Sequence, residues 1–340
     1  MAERRTRDRV PGGAGRRPAH LAWQIRGARA AAVRTGANQE ETSMDKKRVG
    51  FIGLGNMGGR MTRRLVDAGI SVLGYDTDPT RAAETGARAA ATIGEVLDDV
   101  DVVLLSLPDS KVVEAVVEGD GGLLAACRPG QIVVDLSTAA ASSTVRLSAR
   151  FAQQGVQYVD AGVSGGAAAA EKGKLTLMVG GDAATIEAID WVFAPISTKV
   201  VTMGGSGAGH TTKLLNNFLN AVSLAATAEV MVAGKKAGLD LHRLLEVINS
   251  SSGVNFASLN RFPFIVDGDY LEGGLTSKLM TKDVVLYVDM VRELGVASLN
   301  AAGPAACFGL ATALGYGDQI SNRVVDAIGD VSGGVRLKSA

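Results

Sequence analysis

"VGFIGLGNMGGRMTRRLVDAGISVLGYD", Val49 to Asp76, decides the fold. "VGFI" is short, apolar and β-branched and runs straight into glycines, as a buried strand ending in a tight turn does. "RMTRRLVDAG" then carries apolar residues at helical spacing and closes on Gly69, and "ISVLGYD" is a second strand. Gly53, Gly55 and Gly58 fall at the G-x-G-x-x-G spacing. The first permits the turn, the second lets a pyrophosphate approach the backbone, and the third lets helix and strand pack closely. The phosphates then face a helix N-terminus. Glycines alone are weak evidence. With a strand before them, a helix after them and Asp76 closing the second strand, they predict a dinucleotide site at Gly53, Gly55, Asn56, Met57, Gly58 and Asp76.

Outward from this unit the pattern repeats. "VDVVLLSLP", "QIVVDLS", "VQYVDAGVSG" and "KLTLMVGG" are strand-like and separated by helical stretches such as "TVRLSARFAQQG". This alternation predicts a parallel sheet covered on both faces. After Gly209 the texture changes. "TTKLLNNFLNAVSLAATAEVMVAGKKAGLD" is one long helix, apolar on nearly every side in its middle, which predicts burial all round. The remainder is helical with no convincing strand. The expected architecture is an α/β Rossmann-like domain over 47–206, joined by the long helix to an all-α domain over 207–340.

Residues 1–43 differ from everything that follows, being rich in Arg, Gly and Ala without lysine or periodicity. A transit peptide would be Arg-rich, but Glu3, Asp8, Glu40 and Glu41 count against it. A nucleic-acid arm has no support elsewhere. The segment reads as a disordered extension whose deletion leaves activity intact, with Met44 a natural opening for the domain.

Composition excludes several functions. Lys+Arg and Asp+Glu number 35 each, so no net field points to nucleic acid or an anionic membrane. No apolar run reaches the ~20 residues that span a bilayer. Cys127 and Cys307 are far apart and read as buried thiols of a reducing compartment, consistent with the cytoplasm. His20, His210 and His242 are too scattered for zinc, and no metal site is expected. None of the five tyrosines is followed by lysine in the Tyr-x-x-x-Lys spacing of short-chain dehydrogenases.

Four stretches stand in order: "GFIGLGNMGGRM", "DAGVSGG" at 160–166, "GAGHTTKLLNN" at 207–217 and "KDV" at 282–284. From about Arg48 to the C-terminal region the chain resembles the 3-hydroxyisobutyrate dehydrogenase, or β-hydroxyacid dehydrogenase, family. The resemblance implies an NAD(P)-dependent enzyme interconverting a small β-hydroxy acid and its semialdehyde or keto acid. It places Lys213 as the catalytic lysine, Asn217 as the holder of the substrate carboxylate, and Ser164, Gly165 and Gly166 as the substrate loop. Lys282 borders the nicotinamide site, and Leu107, Pro108 and Thr138 line the cofactor. The residues agree: Lys213 and Asn217 are four apart and share a helix face. Desolvation and the helix N-terminus would both bring the lysine toward neutrality as a proton acceptor.

The chain departs from the family pattern at Gly162, where a proline is usual, which would loosen the substrate loop. "AAAAEKGKL" after Gly166 and Val112 also depart. His210 reads as a loop histidine and Asp283 as structural. An imine reductase of the same architecture is an alternative that Lys213 disfavours, as is a non-enzymatic dinucleotide-binding module. No basic cluster after "GAGHTTKLLNN" suits a phosphorylated sugar acid. Asp76 favours NAD, with NADP still possible because Arg81 is near. The apolar helical half suggests a homodimer or homotetramer.

Overall fold

The computed structural model describes residues 48–338; the segment 1–43, Met44 and His20 lie outside the described residues. Eight strands form one sheet: β1 (Arg48–Ile52), β2 (Ser71–Tyr75), β3 (Arg88–Ala89), β4 (Val102–Leu105), β5 (Ile132–Asp135), β6 (Gln157–Ser164), β7 (Leu175–Gly180) and β8 (Ser197–Gly204). Their order is β3-β2-β1-β4-β5-β6-β7-β8. Phe51 of β1 pairs in parallel with Gly74 of β2 on one side and Leu104 of β4 on the other. The chain therefore leaves β1 in both directions, and a crevice opens at the carboxyl ends of β1 and β4, where doubly wound folds bind ligands.

Side chains alternate across the sheet. Val49 and Phe51 enter one core layer with Met61 and Leu65 of the Gly58–Asp67 helix. Ile52, Val103 and Leu105 enter the other, with Val113 and Phe151. The sheet is covered on both faces, as expected. It is not all parallel: β6 and β7 pair antiparallel, Gly162 opposite Met178. Between Ser164 and Leu175 the chain holds only the short Gly166–Glu171 helix. A parallel return needs a crossover of about a dozen residues or more, so this connection turns back on itself. β8, "STKVVTMG", then pairs in parallel with β7. Its mostly exposed side chains hide it from a search for apolar runs.

From Ala208 the described residues are helical apart from an isolated bridge between Thr276 and Ile320. The long helix Ala208–Lys236 contributes Leu224, Ala228 and Met231 to a separate core with Phe262, Met280 and Phe308. It is not buried all round. Leu215, Leu219 and Val230 are 45%, 68% and 47% exposed, because neighbouring elements of the chain cover only part of the helix. Among the described residues no helix is long and apolar enough to cross a membrane.

Candidate active site

The glycine loop is built by contacts that tolerate no side chain. Gly53 has φ +90°, and a Cβ there would collide with the Ser106 carbonyl; one on Gly58 would collide with the Gly53 carbonyl. Gly55 is different. A Cβ there would meet only the Arg81 guanidinium, at 3.4 Å, because Gly55 faces open cavity. The protein needs Gly53 and Gly58 for its own packing, whereas Gly55 leaves backbone bare toward the crevice. That is the cradle a pyrophosphate requires.

Asp76 sits at the tip of β2 with its side chain 8% exposed. One carboxylate oxygen accepts from the Leu54 N–H of the glycine loop at 2.7 Å and the other from the Asp78 N–H at 2.9 Å. Arg81 stands 3.4 Å away. Asp76 thus ties the loop to β2 while lining the cavity, a role that the position alone did not reveal. Asn56 reaches across the cleft, its amide donating to the Gly273 carbonyl at 3.3 Å. Met57 borders the cavity beside it.

Lys282 makes a second crossing. Its ammonium donates to the carbonyls of Pro108 (3.1 Å) and Thr138 (3.0 Å) and lies 3.2 Å from Asp283. The loops after β4 and β5 are thereby tied to the Ser277–Glu293 helix. Leu107, Pro108 and Thr138 line the cavity next to it.

The long helix is aimed at the crevice by a residue from another element. Gly207, its N-cap, has no side chain to offer. Buried Asp160 of β6 substitutes: its two carboxylate oxygens accept from the N–H groups of Gly207 (2.7 Å) and His210 (2.8 Å). A carboxylate at a helix N-terminus satisfies orphan donors and opposes the positive end of the dipole. Gly162 lets this helix come close. It lies inside β6 and does not loosen a loop; a Cβ there would stand 2.5 Å from the Lys213 Cβ. His210 is likewise no loop residue. It is fully buried in the first turn of the long helix, with Nδ1 2.7 Å from the Thr144 hydroxyl and Nε2 3.2 Å from the Asp135 carbonyl. A carbonyl only accepts, so Nε2 carries the proton and the ring bolts the helix to the sheet.

Lys213 emerges one turn further on, lining the cavity and ringed by protein. Burial brings its ammonium down to about 8; the charge of Asp283 pulls it back up, and that of Lys282 pushes it down. Among the described residues it has no hydrogen-bond or ion-pair partner. Asn217, one turn later, donates to Asp283 at 2.5 Å. Phe218 stacks on Tyr287 at 3.7 Å, one turn beyond Asp283, and so sets the register that puts carboxylate against amide. Asp283 is therefore structural in a specific sense: it holds one amide hydrogen of Asn217.

Ser164, Gly165 and Gly166 complete the wall at the end of β6, with Gly165 at φ +124°. All the sequence-predicted residues line one cavity of about 1390 Å³, large enough for a dinucleotide and a small substrate together. The cavity continues past Asn217 to Asn220, Arg261 and Asn322, which the sequence reading did not single out. Among the described residues no group of three or more His, Cys, Asp or Glu could hold a metal ion. Cys127 and Cys307 are free thiols, each pushed up to about 11 by burial; Cys307 is buried and Cys127 only half-buried.

Known proteins match this arrangement along most of the chain. A family model described as the NAD binding domain of 6-phosphogluconate dehydrogenase matches residues 48–205. A second, described as NAD-binding of NADP-dependent 3-hydroxyisobutyrate dehydrogenase, matches 207–328. A 2-(hydroxymethyl)glutarate dehydrogenase of Eubacterium barkeri is 36% identical over 82% of this chain and 93% of its own. An L-threonate dehydrogenase of Cupriavidus necator is 34% identical over 82% of this chain and 95% of its own. Among solved structures, the Mycobacterium tuberculosis 3-hydroxyisobutyrate dehydrogenase with L-serine superposes with a TM-score of 0.76. It is 31% identical and covers 82% of this chain and 98% of its own. An imine reductase from a Pseudomonas species, at 20% identity and a TM-score of 0.55, shares the fold alone. Fold, site and relatives define an NAD(P)-dependent oxidoreductase acting on a CH–OH group. The chain belongs to the 3-hydroxyisobutyrate dehydrogenase family.

Proposed function

We propose that this enzyme interconverts a small β-hydroxy acid and its semialdehyde or keto acid, with Lys213 as the general acid and base. The observation that carries the reading is Lys213 itself: a cation without a partner, brought down to about 8, in the cavity that also holds the glycine cradle. The acids named for the relatives above, 2-(hydroxymethyl)glutarate, L-threonate and 3-hydroxyisobutyrate, each carry a hydroxyl on the carbon β to a carboxylate. A carboxylate held by Ser164, the turn at Gly165–Gly166 and the remaining amide hydrogen of Asn217 sets that hydroxyl beside Lys213. In oxidation the neutral amine accepts the hydroxyl proton; in reduction the ammonium returns it. The bound nicotinamide supplies the hydride acceptor or donor. Lys282 and Asn56, by spanning the cleft, keep its two walls together and help exclude water.

NAD is the preferred cofactor on this reading. Asp76 lines the cavity, where it would accept from the ribose hydroxyls of NAD and repel the 2′-phosphate of NADP. Arg81, at 3.4 Å, offsets part of that repulsion and leaves NADP as a poorer alternative. The functional assembly is a homo-oligomer, supported by the apolar side chains left exposed along the long helix.

NADH formation across a panel of monocarboxylic and dicarboxylic β-hydroxy acids, with wild-type protein and Lys213→Ala, tests the reading. Turnover of at least one acid, with kcat lowered roughly 10²–10⁴-fold in the variant, is expected. Turnover of none, or near-normal turnover by the variant, overturns it.

A further inference from the structure

Beyond Asn217 the cavity reaches another cation. Arg261 lines it, and two of the five guanidinium N–H donors are held by neutral amides. One nitrogen donates to the Asn322 side-chain oxygen at 2.9 Å, the other to the Asn220 side-chain oxygen at 3.0 Å. The Asn322 amide nitrogen in turn donates to the Tyr270 carbonyl at 2.9 Å, which fixes the oxygen toward the arginine. Phe256 presents its ring to the guanidinium at 5.7 Å. Nothing here neutralises the charge. Among the described residues no carboxylate pairs with Arg261, whereas Arg81 pairs with Asp76 and Asp78, and Lys282 with Asp283. Burial without a counter-charge also brings Arg261 down to about 10, still a cation at neutral pH.

A partly buried guanidinium is costly unless paired. Here two asparagines orient it, and three donors remain for something else. The substrate half of the cavity is lined by the cations Lys213, Lys282 and Arg261 and by one carboxylate, Asp283. That excess of positive charge suits an anion with more than one charge. Spacing agrees. Lys213, Asn217 and Asn220 stand at i, i+4 and i+7 on the long helix, a single stripe. The helix rises about 1.5 Å per residue, so Asn220 lies about 10 Å beyond Lys213 and about 4.5 Å beyond Asn217. A short aliphatic chain of a few carbons bridges the two anchors.

We propose that Arg261 binds a second carboxylate of the substrate, so that the enzyme acts on β-hydroxy dicarboxylic acids, with one carboxylate at Ser164–Gly166 and Asn217 and the other at the guanidinium. This assignment rests on the hydroxy-acid reading above and names its substrate class. Arg261 is a specificity residue, remote from the proton that Lys213 moves.

The test begins with wild-type protein saturated with NADH, titrated by calorimetry with glutarate and with butyrate, which differ by one terminal carboxylate. Glutarate should bind roughly 10- to 100-fold more tightly, the range of a hydrogen-bonded charge contact. In Arg261→Met that preference should collapse, and Arg261→Lys should keep part of it. In the turnover panel the kcat/KM ratio of dicarboxylic to monocarboxylic acids should fall by a similar factor in Arg261→Met. Equal binding of glutarate and butyrate to the wild type overturns the proposal, whether or not the variants fold. A preference for glutarate without turnover of any hydroxy acid would leave the anion site standing and remove the dehydrogenase reading.

Discussion

Lys213 and Asp76 are the two positions where the proposed function rests on one functional group. With its ammonium brought down to about 8, roughly a tenth of Lys213 is the neutral amine at pH 7, against well under a thousandth for an ordinary lysine. With Lys213 moving the proton as proposed, oxidation uses that amine, so kcat/KM for the hydroxy acid should rise with pH and level off above about 8; reduction uses the ammonium and should fall over the same range. Lys213→Arg keeps the charge but not the ability to give up a proton. It should lose oxidation as completely as Lys213→Ala while retaining NADH affinity, measured by fluorescence titration. A flat pH profile in both directions would remove Lys213 from proton transfer. At Asp76 the sequence pointed to cofactor choice, and the structure adds a bond to the Leu54 N–H that the choice of test must respect. Asp76→Asn removes the charge and, with its oxygen toward Leu54, keeps that bond while giving up the one from the Asp78 N–H, so it tests the charge with the loop tether in place. The ratio of kcat/KM with NAD to that with NADP should exceed one in the wild type and narrow or reverse in the variant. An unchanged ratio would leave Asp76 a loop tether only.

At the scale of elements, the long helix turns a strand-and-helix scaffold into a site, and Asp160 holds its first turn in place. In Asp160→Asn only the amide oxygen still accepts, and the NH₂ group faces a backbone N–H that can only donate. One buried donor is left unsatisfied and the dipole loses its counter-charge. The variant should lose about 1–3 kcal/mol in urea denaturation, and kcat should fall because Lys213 rides on the displaced turn. An unchanged denaturation midpoint would show that the helix start needs no such anchor. The same helix shows what a sequence can and cannot disclose. Lys213 and Asn217 share a face through helical periodicity, a local property, and were legible together. Asp160 and Gly207 are 47 residues apart, and only the packing of β6 against the helix joins them. Gly162 reads as a departure from a family motif until the Lys213 Cβ is found beside it. Asn220 lies in the long helix, Arg261 at the junction of two short helices and Asn322 in a 3-10 turn, and the three form no spacing at all. The antiparallel return at β7 depends on connection length, which an apolar pattern does not reveal.

For the whole molecule, the long helix again matters most. Its middle is apolar on nearly every side, as though it were to be covered all round, yet a single chain covers only part of it. Leu215 and Leu219 are four apart and lie on one exposed face; Val230 continues the exposed apolar surface further along, and Leu219 also borders the mouth of the cavity. Apolar surface of this kind, on the helix that carries Lys213, is suited to another protein surface. A second copy of the chain is the simplest occupant, because an isologous contact needs only one patch to be self-complementary. Light scattering coupled to gel filtration should therefore give a mass of at least about twice the 34.9 kDa of one chain. Replacing Leu215 and Leu219 together by Asp should shift the population toward monomer by burying charge in the contact. Because Leu219 lies at the cavity mouth, the same double variant should raise KM for the hydroxy acid more than for NAD. A wild-type protein that runs as a monomer at all concentrations would mean that Leu215 and Leu219 make no contact between copies, leaving Leu219 a residue of the cavity mouth.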